Sequence, residues 1–277
     1  MFDLTAWMLA AAVLAAIAVI VWAISLPLRN ASIVDSVWSL LFIAAAFTYA
    51  TATEAEGGGR RILILTLVTI WGVRLAGYIT LRNWGEEEDK RYQAMRRTQG
   101  PNFAAKSLGT VFLLQAGLAW VVSLPLLAAV DGAGGVGVVD WLGVVVWGIG
   151  FAFEAGGDFQ LARFKADPAN AGKVMDRGFW RYTRHPNYFG DFTQWWGFFL
   201  IGLAAGGWWA LPGPLLMSWL LLRVSGVALL ERGIEKTRPN TPTTSREPTL
   251  SSPRYRKPTR LHPTLWELAD VVPFESA

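Results

Sequence analysis

The stretch ILILTLVTIWGVRLAGYITL, residues 62–81, carries a single charge, Arg74, in twenty positions. At about 1.5 Å of rise per residue, some twenty apolar residues cross the ~30 Å hydrocarbon core of a bilayer as a helix. Six further runs of the same character lie at about 6–27, 33–51, 108–130, 138–161, 192–211 and 213–230. Composition agrees: 53% of the residues are hydrophobic and 17% charged, against roughly 25% charged in soluble domains. Backbone groups in hydrocarbon must find partners within their own segment, so each run is predicted to be helical. No long alternating runs favour a barrel, and no internal repeat is visible. The expected fold is all-α, a polytopic membrane helix bundle of about seven transmembrane helices.

The first run lacks a basic n-region and a small-residue cleavage site, so it reads as a retained span, not a signal peptide. The chain has no Cys, which removes disulfides, thiolate nucleophiles and Cys-ligated metals. Its net charge of +4 is modest, and nothing resembles a nucleic-acid module. The basic residues set topology instead. Arg29 follows the first run; Arg82, Lys90, Arg91, Arg96, Arg97 and Lys106 follow the third. Arg163, Lys165, Lys173, Arg177, Arg181 and Arg184 follow the fifth, and Arg232, Lys236 and Arg238 the last. With seven spans all four sites fall on one side, predicted cytoplasmic, with the N-terminus outside and the C-terminus inside. Only Arg60 and Arg61 break the pattern.

The densest polar cluster is RYTRHPNYFGDFTQWW, residues 181–196, at the start of the sixth run. Pro186 biases His185 away from helical geometry, so a helix is predicted to begin near Pro186 or Asn187. First-turn amides, with Arg181 and Arg184, make a ready anion site. Arginines snorkelling to lipid phosphates would also place cations here, but the His-Pro-Asn-Tyr grouping exceeds what anchoring needs. Asp158 and Gln160, before Arg163 and Lys165, could bind ribose hydroxyls and a phosphate, or simply end a helix. Arg74 lies mid-span, with Tyr78 four residues on along the same face, and should meet a polar cavity or partner. Gln115 and Arg223 are further intramembrane polar residues. Asp35 sits two residues into the second run, as a buried acid able to bond a carbonyl or as an N-cap, which Ser32 could equally supply. Residues 86–92, EEEDKRY, read as a solvated or ion-paired segment, and no metal site is expected. The pairs Trp195-Trp196 and Trp208-Trp209 suit an interfacial belt.

Several stretches resemble the bacterial DUF1295 family, relatives of the steroid 5-alpha-reductase C-terminal domain. They are IVDSVWS, WGVRLAGYITLRNWGEEEDKRY, VFLLQA, DFQLARFKADP, GFWRYTRHPNYFGDFTQWWG and LLLRVSGVALLE, which together span most of the chain. The resemblance implies a membrane oxidoreductase in which NADPH lies among the later helices, in a pocket built mainly from residues 74–239. By matching position, Arg74, Asp158, Lys165, Asn187, Tyr188, Asp191 and Arg223 fall at the cofactor. Asn83 lies one position out of register with a cofactor asparagine, and Arg181, Tyr182, Arg184 and His185 supply further cofactor contacts. Asp35 falls where the steroid enzymes have a Glu that activates the substrate carbonyl. The partner Tyr of that pair aligns with Trp71, which cannot protonate an oxyanion, so Tyr78 is the substitute if the substrate sits differently. Trp38, Trp71 and Gln115 are then substrate-binding.

The function this implies is NADPH-dependent reduction of a conjugated C=C bond in a steroid-like or lipid enone, by a monomer in the bacterial inner membrane. The RHPNYFG-type motif also occurs in isoprenylcysteine carboxyl methyltransferases. An S-adenosylmethionine-dependent lipid methyltransferase is therefore the alternative, using Glu231 as well, and a non-catalytic lipid-binding protein a second. A seven-helix domain is expected over 1–239, with a disordered basic tail over 240–277. Relatives end in a pattern like Y-x-x-Y-x-x-R-T-x-x-F-x-P. Back-translation of Asn240–Pro253 with suitable third bases, read in a shifted frame, gives YADYIARTNAFIP. The tail is thus expected to be the product of a frameshift near Asn240.

Overall fold

The computed structural model describes residues 2–53, 58–132 and 134–224. The expected tail at 240–277, the end of the seventh run and Glu231 lie outside those residues. In chain order the helices are α1 (Leu4–Leu28), α2 (Ile33–Ala52), α3 (Gly59–Asn83), α4 (Lys90–Gln99), α5 (Phe103–Ser107), α6 (Leu114–Val122), α7 (Leu124–Asp131), α8 (Val138–Ala166), α9 (Pro186–Ala204) and α10 (Pro212–Trp219). There is no strand among the described residues. Five helical segments are long and apolar enough to cross a membrane: α1, α2, α3, Lys90–Val122 and α8. With α9 and the segment that α10 begins, they make the expected bundle of about seven spans in an integral membrane protein.

One run differs from expectation in detail. The run at 108–130 is one wide π-helical segment, Leu108–Leu113, then α6 and α7, broken at Ser123. Pro125 accounts for the break, because its ring and missing N–H do not fit a helix interior. Ser123 repairs it by donating to Trp120 O at 2.8 Å and bonding the Tyr49 hydroxyl at 2.7 Å. α9 starts at Pro186, as the sequence predicts, since proline at the first helical position costs no hydrogen bond.

α8 and α9 form the tightest pair. Gly143 and Gly150 on α8 face Gly197 and Gly190 on α9, and Gly157 lies against Pro186; the heptad spacing keeps one seam in register. A Cβ on Gly190 would lie 2.5 Å from Glu154 N and from Gly150 O.

Each end of the bundle is tied by polar contacts. At one end Arg60 donates to Asp140 at 2.7 and 3.0 Å and to Gly135 O at 2.9 Å. Arg61 reaches Ala50 O at 3.2 Å and Thr53 Oγ1 at 2.8 Å. These two arginines break the charge pattern because they join helix ends. At the other end α4 folds back on the α1–α2 turn. Glu88 accepts from Ala31 N at 2.8 Å and pairs with Arg96 at 2.7 Å, while Asp89 N donates to Ser32 Oγ at 2.7 Å. The acidic run at 86–92 is thus partly ion-paired.

Candidate functional site

Two buried polar clusters sit in the half of the bundle that faces the α1–α2 turn. The first is built where polar faces of α3, α8 and α9 converge. On α3, Trp71, Arg74 and Tyr78 fall at three- and four-residue spacing and so share a face. Glu154 and Asp158 do the same on α8, and Asn187, Asp191 and Gln194 on α9. Trp71 Nε1 donates to Glu154 Oε2 at 3.0 Å, and Arg74 to Glu154 Oε1 at 2.9 Å. Arg74 also pairs with Asp158, and Gln194 donates to Glu154. Tyr78 lies against Arg74, whose Cζ is 5.4 Å from the ring centre, and against Arg82 at 5.9 Å.

Burial makes this cluster costly. Glu154 is 2% exposed, Asp158 1% and Asp191 4%, and charged groups at such depth are held only by partners. The inner end is closed by aromatic side chains: Trp71 meets Trp195 edge-on at 5.7 Å, and Phe42 meets Trp195 at 4.6 Å. The outer end is the start of α9. Its N-cap, His185, makes no side-chain capping bond, and its carbonyl accepts from Phe189 N at 3.0 Å. Asn187 is 3% exposed, and its Nδ2 has no hydrogen-bond partner among the described residues. A buried donor without an acceptor is expensive in a finished core and suits a site that receives an oxygen-rich ligand.

The second cluster surrounds Asp35 on α2. Tyr92 donates its hydroxyl to Asp35 Oδ1 at 2.8 Å, and Arg91 pairs with Oδ2 at 3.0 Å. Gln115 Nε2 lies 3.5 Å from Asp35 Oδ1 and 3.3 Å from the Tyr92 hydroxyl. Gln115 stands just past the π-helical segment, whose extra residue per turn resets which side of α6 faces α2. Trp38, one turn beyond Asp35, is buried against Phe42 at 5.2 Å. Its Nε1 has no hydrogen-bond partner among the described residues. Phe42 thus touches both clusters.

Of the residues singled out in the sequence, Arg74, Asp158, Asn187, Asp191, Trp71 and Tyr78 come together in the first cluster. Asp35, Gln115 and Trp38 gather in the second. Tyr188 is buried beside His185, with ring centres 5.8 Å apart. Lys165, at the end of α8, and Arg181, Tyr182 and Arg184, in the α8–α9 connection, are exposed. Asn83 accepts from Arg82 at 3.2 Å and joins neither cluster. Arg223 is exposed and makes no hydrogen bond or ion pair among the described residues. The hydroxyl that meets Asp35 belongs to Tyr92, not to Tyr78.

Sequence reasoning did not single out Glu154, Gln194, Arg91 or Tyr92. Glu154 could have been found, being a carboxylate inside an apolar run one turn before Asp158. Tyr92 could not, because it becomes buried only when α4 folds back on α2.

A family model described as a protein of unknown function, DUF1295, matches residues 21–244, a stretch that contains both clusters. No curated protein and no solved structure matches the chain. The family match covers far more than half of the chain, and this helical membrane protein belongs to the DUF1295 family.

Proposed function

We propose that the chain is a membrane-embedded NADPH-dependent reductase of a C=C bond conjugated to a carbonyl, acting on a steroid-like or lipid substrate. The observation that carries this reading is the pair of buried polar clusters separated by one aromatic wall. One cluster reaches the start of α9, where the Asn187 amide is buried without an acceptor among the described residues, and the other holds hydroxyl and amide donors. NADPH supplies a hydride when bound. Asn187 holds its phosphates, with Arg181 and Arg184 in the loop before α9. Lys165 offers a partner for the 2′-phosphate. Arg74 is fixed by Glu154 and Asp158 and shapes the inner end of the strip. Trp38 and Phe42 line the apolar side of the substrate.

The second cluster serves the substrate carbonyl. Negative charge that develops on the carbonyl oxygen as hydride reaches the β carbon meets the donors beside Asp35. Donors in a dry site act strongly, because no solvent must reorganise. Tyr92 is the proton donor in this reading, and Arg91 and Gln115 orient it. The basic loops face the cytoplasm of a bacterial inner membrane, where soluble cofactor is available.

S-adenosylmethionine transfer is the second reading. The carboxylate-rich first cluster suits a sulfonium cation, but that chemistry leaves the Asp35 cluster idle. The test is loss of NADPH absorbance in the presence of a panel of 3-oxo-4-ene steroids and linear enone lipids. Enone-dependent oxidation that falls in Tyr92→Phe supports the reductase. Methyl transfer from labelled S-adenosylmethionine to lipid, with no NADPH oxidation, contradicts it.

A further inference from the structure

The segment from Gly85 to Gly100 covers the Asp35 cluster with little apolar packing of its own. Of the α4 residues only Tyr92 is buried, and Met95 is half-buried against the core. Polar contacts fasten the segment to the α1–α2 turn. Glu88 accepts from Ala31 N, Asp89 N donates to Ser32 Oγ, and Arg96 donates to Arg29 O at 3.3 Å. Arg96 also holds both Glu88 carboxylate oxygens, at 3.0 and 2.7 Å. A segment held by bonds for which water competes, with few buried apolar groups, belongs to the part of a fold that opens locally. Gly85 and Gly100 bracket it with φ of +82° and +56°, and a Cβ at either would meet nothing within 4 Å. Both can turn without a clash, which suits hinges.

Three side chains reach Asp35, and two of them, Arg91 and Tyr92, ride on α4; Gln115 is the third. Resting on the reductase reading above, we propose that residues 85–100 form a hinged lid whose docking assembles the Asp35 cluster over the substrate. Opening carries the Tyr92 hydroxyl away from Asp35 and gives a lipid enone a way in beside the α1–α2 turn. Closing returns the hydroxyl and shuts water out from the carbonyl oxygen. The Tyr92 O–H bond breaks as its proton passes to the reduced substrate. At the next opening the tyrosinate regains a proton from cytoplasmic water while the product leaves. The two-pronged Arg96–Glu88 pair is the latch that sets how often the lid opens.

The absence of cysteine lets one introduced thiol report the lid in full-length protein in detergent. Ser32→Cys places it beneath Asp89, at a position 6% exposed. Its rate of reaction with a water-soluble maleimide measures opening. Arg96→Ala in that background should raise the rate about tenfold, the worth of one hydrogen bond to a charged group. Ala45→Cys, in the buried face of α2, should stay unreactive with or without Arg96→Ala. An unchanged rate at Ser32→Cys overturns the lid. Equal rises at both thiols mean that the whole bundle has loosened, and overturn it too. A second variant, Ser32→Cys with Asp89→Cys, shuts the lid covalently when oxidised. Oxidation of NADPH with a 3-oxo-4-ene steroid should fall about tenfold or more in the disulfide form and return with dithiothreitol. Equal turnover in the two forms overturns the role of the lid in admitting substrate. Wild type that oxidises no NADPH with any enone overturns the reductase reading instead, and the thiol rates still decide whether the segment opens.

Discussion

Three side chains converge on Glu154, which accepts from Trp71, Arg74 and Gln194 at once. Satisfying a buried carboxylate this fully is what allows Arg74 to sit inside a span. Arg74→Ala would leave Glu154 and Asp158 without their shared cation. We expect a loss of about 3–5 kcal/mol, as is typical when one partner of a buried pair is removed. Thermal unfolding in detergent measures it, and a near-neutral change would show that the pair is solvated. Asn187 makes no hydrogen bond through Nδ2 among the described residues, so Asn187→Ala should barely affect stability. It should weaken NADPH binding about tenfold or more, the worth of one hydrogen bond to a charged group. Tyr92→Phe removes one hydroxyl from the second cluster only. It should leave NADPH affinity unchanged and lower enone turnover about a hundredfold. A parallel loss of both in that variant would merge the two clusters into one site.

At the scale of elements, the α8–α9 seam sets the position of the first cluster. Gly190 lies one residue before Asp191, and its missing Cβ lets α8 approach so closely that Glu154 and Gln194 touch. Gly190→Val should force the helices apart, costing about 1–3 kcal/mol or more as overpacking. Cofactor affinity should fall with it, and binding and unfolding measured together test this. What the sequence made legible follows the same division. Hydropathy alone located α1, α2, α3 and α8, because lipid imposes length and apolarity on a span. Arg74 and Asp158 stood out as intramembrane charges. The break at Ser123 was legible only as far as Pro125 marks it. The docking of α4 was not, since residues 86–92 are polar enough for either water or a pairing surface. Their burial depends on the Ser32 and Asp35 partners that tertiary folding supplies.

For the whole molecule, the two polar ends alternate as helices run up and down. Arg60, Arg61 and Asp140 gather at one end, and Arg29, Glu88 and Arg96 at the other. The natural absence of cysteine makes single-cysteine mapping clean. Ala169→Cys, in the exposed α8–α9 connection, should react with a membrane-impermeant thiol reagent only in inside-out vesicles. Gly135→Cys should react only in spheroplasts, and the reverse pattern would invert the proposed orientation. The polar strip of the first cluster would then open on the side that lacks soluble cofactor. The account stands most directly on what enters that strip. Titrating the detergent-purified protein with NADPH, NADH and S-adenosylmethionine side by side decides it. The account predicts saturable binding of NADPH, tighter than NADH and with none of S-adenosylmethionine; selective binding of S-adenosylmethionine, or of none of the three, would contradict it.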